Sequence, residues 1–288
     1  MTWLALALVV TSALVHASWN FLLKRSGGGT GLIAAASLLS LALYAPVVAL
    51  SAWQSGWTPQ PIHFGLMFGS GLVHTAYFLL LDRAYRSGGD LSIVYPLARA
   101  TGPLLTIAFA IAFLGERPGP WALGGAALIG VSAILLAGNP FAWRSHHAKE
   151  AVGFALLTGL MIAAYTLLDK RAVAAFLIPP LVFDWGTNAF RCSVLVPFAR
   201  HRAPGGMEEA WRTRKRTVIA IALLSPLSYI LVLTAMVFTP VSLVAPAREL
   251  SILFAALMGA HFLKEGDATR RSIAAVGMVL GIAGLAAG

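Results

Sequence analysis

The chain has 288 residues, of which 58% are hydrophobic and only 11% are charged. Soluble domains carry about 25% charged residues, so this chain has too few to cover a surface in contact with water, and a soluble protein is excluded. The formal net charge of +10 does not indicate nucleic-acid binding, because the basic residues are spread between apolar segments. Basic residues in that arrangement hold cytoplasmic loops against anionic lipid.

Ten apolar segments follow one another along the chain, most of them long enough to cross a hydrocarbon core of ~30 Å. They predict an all-α integral membrane protein with ten transmembrane helices. The first segment has no basic residue before it and no small-residue cleavage site, so we expect a retained helix and not a signal peptide. No segment remains for a soluble catalytic or ATP-binding domain. The predicted spans are Trp3–Leu23, Leu32–Trp53, Phe64–Leu81, Leu91–Leu114, Trp121–Leu136, Ala151–Leu168, Phe176–Phe198, Val218–Phe238, Val241–Leu263 and Ile273–Ala287.

The two halves of the chain carry related motifs in the same order. We therefore predict two five-helix repeats, residues 1–140 and 151–288, joined by a linker over 141–150. Because each repeat has an odd number of spans, the two are inserted in opposite orientations, as in many secondary transporters. The corresponding pieces are Ser92–Pro96 and Ser242–Pro246, Arg99 and Arg248, Phe113–Glu116 and Phe262–Glu265, His16–Arg25 and Ile162–Arg171, and Tyr77 and Tyr229.

The basic residues predict an orientation in the membrane. The odd-numbered loops hold fifteen Lys and Arg residues, whereas the even-numbered loops hold three, Arg117, Lys170 and Arg171. Cytoplasmic loops carry the excess of basic residues. We therefore expect the odd loops in the cytoplasm and both termini outside.

The repeated Pro…Arg…Glu pattern and the five-plus-five plan resemble the EamA-type transporters of the drug/metabolite transporter superfamily, over nearly the whole chain. The segment His16–Asn20 is similar to a subgroup associated with phosphonate utilisation. The resemblance implies transport of a small metabolite through a central cavity lined by spans one, three, four, six, eight and nine. It also implies a multi-pass protein of a bacterial inner membrane. Better-known members keep their termini in the cytoplasm, which is opposite to the charge count.

Arg99 and Arg248 lie inside predicted spans, each shortly after a proline, Pro96 or Pro246. A charged side chain at the bilayer centre costs about 2.5–3.5 kcal/mol on insertion scales, so such residues face a cavity or a partner. An arginine from each repeat forms a natural clamp for phosphate, phosphonate or carboxylate. The alternative is that each arginine reaches an interface or pairs internally.

Two further residues are candidates for ion coupling. Glu249 either binds a coupling proton or neutralises one of the arginines, and His16 either carries a proton or makes interhelical hydrogen bonds. We interpret Asp184, Asn188 and Arg191, on one face of the seventh span, as a structural ion pair. The predicted substrate-binding residues are Arg99, Arg248, Tyr95, Tyr77, Tyr229, Trp19 and Asn20.

The sequence thus predicts a secondary active transporter, an exporter or exchanger of a small anionic or zwitterionic metabolite that works by alternating access. The alternatives are a lipid-headgroup flippase, which the basic residues at 212–216 fit, and a non-transporting membrane scaffold. We predict no enzyme, because no nucleophile–base pattern, metal-ligand motif or P-loop occurs. We predict no cofactor and no metal, since the adjacent His146 and His147 lack further ligands.

The expected partners are a small-molecule substrate and membrane lipid, without nucleic acid. The single cysteine, Cys192, lies in a span and excludes an intramolecular disulfide. Gly277 and Gly281 form a GxxxG face on the tenth span, and Gly125 is a small residue on the fifth span. Such faces allow close helix packing, for which we expect packing within the monomer. The oligomeric state, monomer or homodimer, stays open.

Overall fold

The structure is a computed structural model. It describes the backbone of residues 1–86, 91–137, 148–263 and 268–288, and the side chains of residues 1–81, 83, 97–136, 152–258, 269–270 and 272–288. Every regular element in these ranges is an α-helix, as the composition predicts. The helices are α1 Trp3–Arg25, α2 Thr30–Gln54, α3 Pro61–Arg86, α4 Leu91–Leu114, α5 Pro120–Ala137, α6 Ala148–Ala174, α7 Pro180–Arg202, α8 Gly206–Phe238, α9 Val241–Ala247, α10 Leu250–Leu263 and α11 Ala268–Ala287.

The distribution of polar and apolar side chains is that of a membrane protein. Seven segments of the described chain are helical, long and apolar enough to cross a bilayer, and two shorter apolar helices, Pro120–Leu136 and Ser272–Ala287, accompany them. Large apolar side chains such as Trp3 and Phe113 are exposed, whereas the carboxylate of Asp169 is fully buried. The chain is therefore a multi-pass integral membrane protein.

Most helices differ from the predicted spans by a few residues at their ends, and two differ in more than that. The predicted ninth span is divided into α9 and α10 by a break at Arg248 and Glu249. The break follows Pro246, which has no N–H to donate back along the helix. The predicted eighth span is preceded by additional helix from Gly206, with a kink at Arg214, where φ is −133°.

Small residues allow the closest helix contacts. A Cβ atom on Gly281 of α11 would lie 2.7 Å from the carbonyl oxygen of Gly125 on α5, so only glycine fits on this face. A Cβ on Gly102 of α4 would similarly lie 2.6 Å from Ile162 of α6. The predicted glycine faces of the fifth and tenth spans therefore pack against each other within one chain, away from the residues described next.

Candidate functional site

The break between α9 and α10 creates a short stretch of tighter backbone inside the helix bundle. The amides of Glu249, Ser251 and Ile252 each donate to the carbonyl three residues earlier, at 2.9–3.1 Å, instead of four. Tight turns of this kind interrupt the regular pattern of an α-helix. Interrupted helices near the middle of the membrane are where many transporters place substrate and coupling ions. The break brings two charged residues, Arg248 and Glu249, into the interior.

Arg99 of α4 is paired at this break. Its Nε lies 3.1 Å from Oε2 of Glu249, and its Nη2 donates to Oγ of Ser251 at 2.9 Å. All three side chains are buried. A buried charge needs such a partner, so the guanidinium of Arg99 is neutralised by Glu249, which is one of the alternatives open from the sequence.

Arg248 lies in a different environment. Its guanidinium carbon is 5.2 Å from the ring centroid of Tyr229 on α8, which is a cation–π distance. Within the described part of the chain it forms no ion pair. The two arginines, equivalent in sequence, therefore differ, because Ala100 occupies the position after Arg99 whereas Glu249 follows Arg248.

Aromatic rings form the wall beside Arg248. The imidazole of His74 on α3 stacks on Tyr165 of α6, with ring centroids 4.0 Å apart, and contacts Tyr229 edge to face at 5.7 Å. Tyr77 contacts the other edge of Tyr165 at 6.1 Å. Amphipathic rings of this kind offer apolar contact and a polar atom at one site, which suits a small polar ligand.

Asp169 of α6 lies on the far side of Tyr229. Its side chain has no solvent exposure, and its Oδ2 accepts a hydrogen bond from the hydroxyl of Tyr229. Its Oδ1 makes no hydrogen bond among the described residues. The neighbouring Lys170 points elsewhere, because its Nζ donates to the carbonyls of Met236 and Thr239 at 2.6 and 3.0 Å.

Of the predicted residues of α1, His16 is the one related to this cluster, whereas Trp19 and Asn20 have other contacts. Both Arg99 and Arg248 act electrostatically on His16, which also contacts Trp19 edge to face at 5.1 Å. Trp19 packs on an apolar cluster around Leu32. Asn20 donates to the backbone carbonyl of His16 at 2.8 Å. The side chain of Tyr95 lies outside the described residues.

The predicted ion pair of α7 takes another form. Among the described residues no ion pair joins Asp184 to Arg191. The Arg191 guanidinium instead donates to Oδ1 of Asn188 at 2.7 Å, and the amide of Asn188 donates to Ser40 at 3.0 Å and to the carbonyl of Ser37 at 3.2 Å. The expectation of a direct pair was wrong, because Arg191 bonds instead to Asn188, which anchors α7 to α2.

Three residues of the cluster were missed by the sequence analysis, namely Tyr165, Asp169 and Ser251. Asp169 stands next to Lys170 and Arg171, which suggests the end of a span, but α6 continues to Ala174. The sequence did offer one indication that Asp169 is an interior residue, because it lies within a helical pattern of apolar residues. Charged groups inside the described part of the bundle include Arg99, Arg191, Arg248, Asp169, Asp184 and Glu249.

No group of three or more potential metal ligands occurs in the described part of the chain. The cluster instead draws its polar side chains from α1, α3, α4, α6, α8 and the α9–α10 break. These are the six spans that the family resemblance implies as the cavity lining. The arrangement can hold a small charged molecule between an arginine and aromatic rings, and it can hold a proton on a buried carboxylate.

Comparison with known proteins found a matching family and a similar fold. Residues 149–287 match the EamA-like transporter family, which supports a membrane transporter of the drug/metabolite superfamily. One similar solved structure, described only as a crystal structure of a protein, covers 98% of this chain and 96% of its own, with a TM-score of 0.75 at 15% identity. At that identity the likeness concerns the fold alone. No curated protein matches the sequence.

Proposed function

We infer that this chain, whose residues 149–287 match the EamA-like transporter family, is a secondary active transporter of a small anionic or zwitterionic metabolite. Transport proceeds by alternating access through the interior of two inverted five-helix repeats, residues 1–140 and 151–288. The protein exports or exchanges its substrate across a bacterial inner membrane. Charged groups on both sides of a helix break give this interior the composition of a ligand site, which a membrane scaffold does not need.

The packing of the helices supports the two repeats. If α1, α2 and α3 correspond to α6, α7 and α8, several contacts have a counterpart in the other half. Thus α1 packs on α8 as α6 packs on α3, and α2 packs on α8 as α7 packs on α3. The contact of α4 with α6 likewise corresponds to that of α10 with α1. A pseudo-two-fold axis produces this exchange of partners.

The observation that carries the substrate class is the environment of Arg248. Its guanidinium is half-buried, lies against the ring of Tyr229 and has no ion-pair partner among the described residues. Arginine binds carboxylate, phosphonate or phosphate groups through two parallel hydrogen bonds. Arg99 is already held by Glu249. We therefore propose that Arg248 binds the anion and that Arg99, through its pair with Glu249, maintains the shape of the site.

Thermal unfolding of the purified protein tests this assignment. The panel contains methylphosphonate and methanesulfonate as anions, glycine betaine as a zwitterion and tetramethylammonium as a cation. A ligand at 100 times its dissociation constant stabilises the folded state by about 2.7 kcal/mol. We expect members of the anionic or zwitterionic group to raise the melting temperature of the wild type and of Arg191→Gln, and to leave that of Arg248→Gln unchanged.

Arg191→Gln is the matched control, because it removes another intramembrane arginine whose partner, Asn188, lies on α7. Stabilisation of the wild type by tetramethylammonium alone would contradict the substrate class. Equal stabilisation of Arg248→Gln and the wild type by an anion would show that the anion binds elsewhere.

A further inference from the structure

The anion site proposed at Arg248 does not contain the buried carboxylate of Asp169, and the surroundings of this carboxylate differ from those of Glu249. Glu249 contacts the guanidinium of Arg99. Asp169 forms no ion pair within the described part of the chain, and one of its oxygens makes no hydrogen bond there. An ionised carboxylate with so few partners is costly to bury, and taking up a proton removes most of that cost.

The groups around Asp169 come from each helix that packs on α6. They comprise His74 of α3, Tyr229 of α8, Asp184 of α7, Tyr165 of α6 itself and, at the end of α9, Arg248. The α3 hydroxyl of Ser70 also acts on this carboxylate, while the charge of Arg99 on α4 is balanced by Glu249. Arg248 is the cation that acts on Asp169 electrostatically.

Tyr229 connects this carboxylate to the substrate site. Its hydroxyl donates to Oδ2 of Asp169, and the face of its ring lies 5.2 Å from the guanidinium carbon of Arg248. A change of charge on Asp169 therefore reaches Arg248 through one side chain, in surroundings of low dielectric constant where charges interact strongly.

We propose that Asp169 is the proton-binding residue of this transporter and that its protonation strengthens the binding of an anion at Arg248. A proton from water binds to Oδ1, while Oδ2 keeps the hydrogen bond from Tyr229. Neutralising the carboxylate removes the negative charge that acts on Arg248, so an incoming anion meets a cation that is no longer compensated. Binding one proton and one monoanion leaves the net charge of the site unchanged. This inference rests on the proposed function.

Two measurements on the full-length purified protein test the proposal. The first is an infrared titration between about pH 4 and pH 9, which detects the C=O band of a protonated carboxyl group in apolar surroundings and needs no ligand. We expect Asp169→Asn to lose a component of this band that Asp184→Asn retains. An unchanged band in Asp169→Asn would overturn the proton site.

The second measurement is the dissociation constant of methanesulfonate, whose charge does not change over this pH range, determined from thermal stabilisation. We expect binding to the wild type to tighten as the pH falls, by about 5- to 150-fold, the usual range of coupling between two sites. In Asp169→Asn, which is permanently neutral, binding should be tight and independent of pH. Asp184→Asn should retain the pH dependence of the wild type.

Tyr229→Phe keeps both charged groups and removes only the hydroxyl that joins them, so it tests the link without altering a carboxylate. We expect it to shift the pH midpoint of methanesulfonate binding, and an unchanged midpoint would overturn the link. A pH dependence that persists in Asp169→Asn and disappears in His16→Gln or His74→Gln would assign the proton to histidine and overturn the proposal. If methanesulfonate stabilises the wild type at no pH, its binding at Arg248 fails, and the infrared titration alone decides whether Asp169 binds a proton.

Discussion

Arg99 and Arg248 occupy matching places in the two halves of the sequence and yet have different surroundings. The difference arises from one residue, since Glu249 follows Arg248 and reaches across to Arg99, whereas Ala100 in the other half has no charge to offer. The side-chain hydroxyl of Ser251 accepts a hydrogen bond from the guanidinium of Arg99. One arginine is therefore neutralised, whereas the other has no ion-pair partner among the described residues.

Removing the carboxylate of Glu249 should leave Arg99 buried without its counter-ion. Breaking a buried pair by removing one partner costs about 3–5 kcal/mol, whereas replacing both partners by apolar residues is often neutral. We expect Glu249→Gln to lower the melting temperature and the double substitution Arg99→Met/Glu249→Leu to restore much of it. Glu208→Gln, at an exposed carboxylate, should leave it unchanged. Equal losses in Glu249→Gln and Glu208→Gln would contradict the importance of this pair.

The connection between α8 and α9 is bound by Glu116, in the loop after α4, and by Lys170 of α6. Glu116, at the end of the Phe113–Glu116 motif, accepts from the amides of Val241 and Ser242 at 2.8 and 2.9 Å. These are the first two residues of α9, whose amides have no partner within their own helix. Lys170 donates to carbonyls at the end of α8. The motif therefore stabilises the start of the helix that carries Arg248.

Glu116→Gln should weaken this connection, because an amide offers one acceptor oxygen where the carboxylate offers two. A buried donor left without its partner costs about 1–3 kcal/mol. We expect a lower melting temperature for Glu116→Gln than for the wild type. Glu209→Gln, which changes an exposed carboxylate in the first turn of α8, is the control. A melting temperature for Glu116→Gln equal to that of the control would show that the two hydrogen bonds contribute nothing.

The contact of α5 with α11 depends on glycine at particular positions, which two adjacent glycines of α5 allow to be tested. A Cβ atom on Gly125 would lie 2.9 Å from the amide nitrogen of Leu285 on α11, whereas one on Gly124 would meet nothing within 4 Å. We expect Gly125→Ala to destabilise the protein by about 1–3 kcal/mol through overpacking. Gly124→Ala should stabilise slightly, since alanine favours helix. The measurement is the melting temperature of each variant. Equal values for Gly125→Ala and Gly124→Ala would contradict the packing of α5 on α11 within one chain.

At the scale of the whole molecule, the distribution of Lys and Arg predicts which loops face the cytoplasm. Fifteen of these residues fall in the odd-numbered loops and three in the even-numbered loops. Thr58, in the second loop, and Glu208, after the seventh span, are both exposed. The single native cysteine, Cys192, is buried, so a cysteine introduced at either position can be labelled selectively.

In intact cells we expect a membrane-impermeant maleimide to label Thr58→Cys, because basic residues keep the odd-numbered loops inside. Glu208→Cys should react only after the membrane is permeabilised. The reverse pattern would place both termini in the cytoplasm, as the family resemblance implies. Labelling of both variants in intact cells would indicate that one predicted span does not cross the membrane. The first candidate would be α7, which is less apolar than the seven described helices that are long and apolar enough to cross a bilayer.

The sequence by itself determined the class of this protein, because runs of about twenty apolar residues can satisfy their backbone in a bilayer only as helices. It also identified Arg99, Arg248, Glu249 and Tyr229, since charge and aromatic rings inside apolar spans are unusual. Only the tertiary structure decided which arginine is paired, because that depends on how α4 meets the α9–α10 break. Only the tertiary structure showed that Asp169 contacts Tyr229, because the two residues are 60 positions apart and their contact depends on how α6 packs against α8.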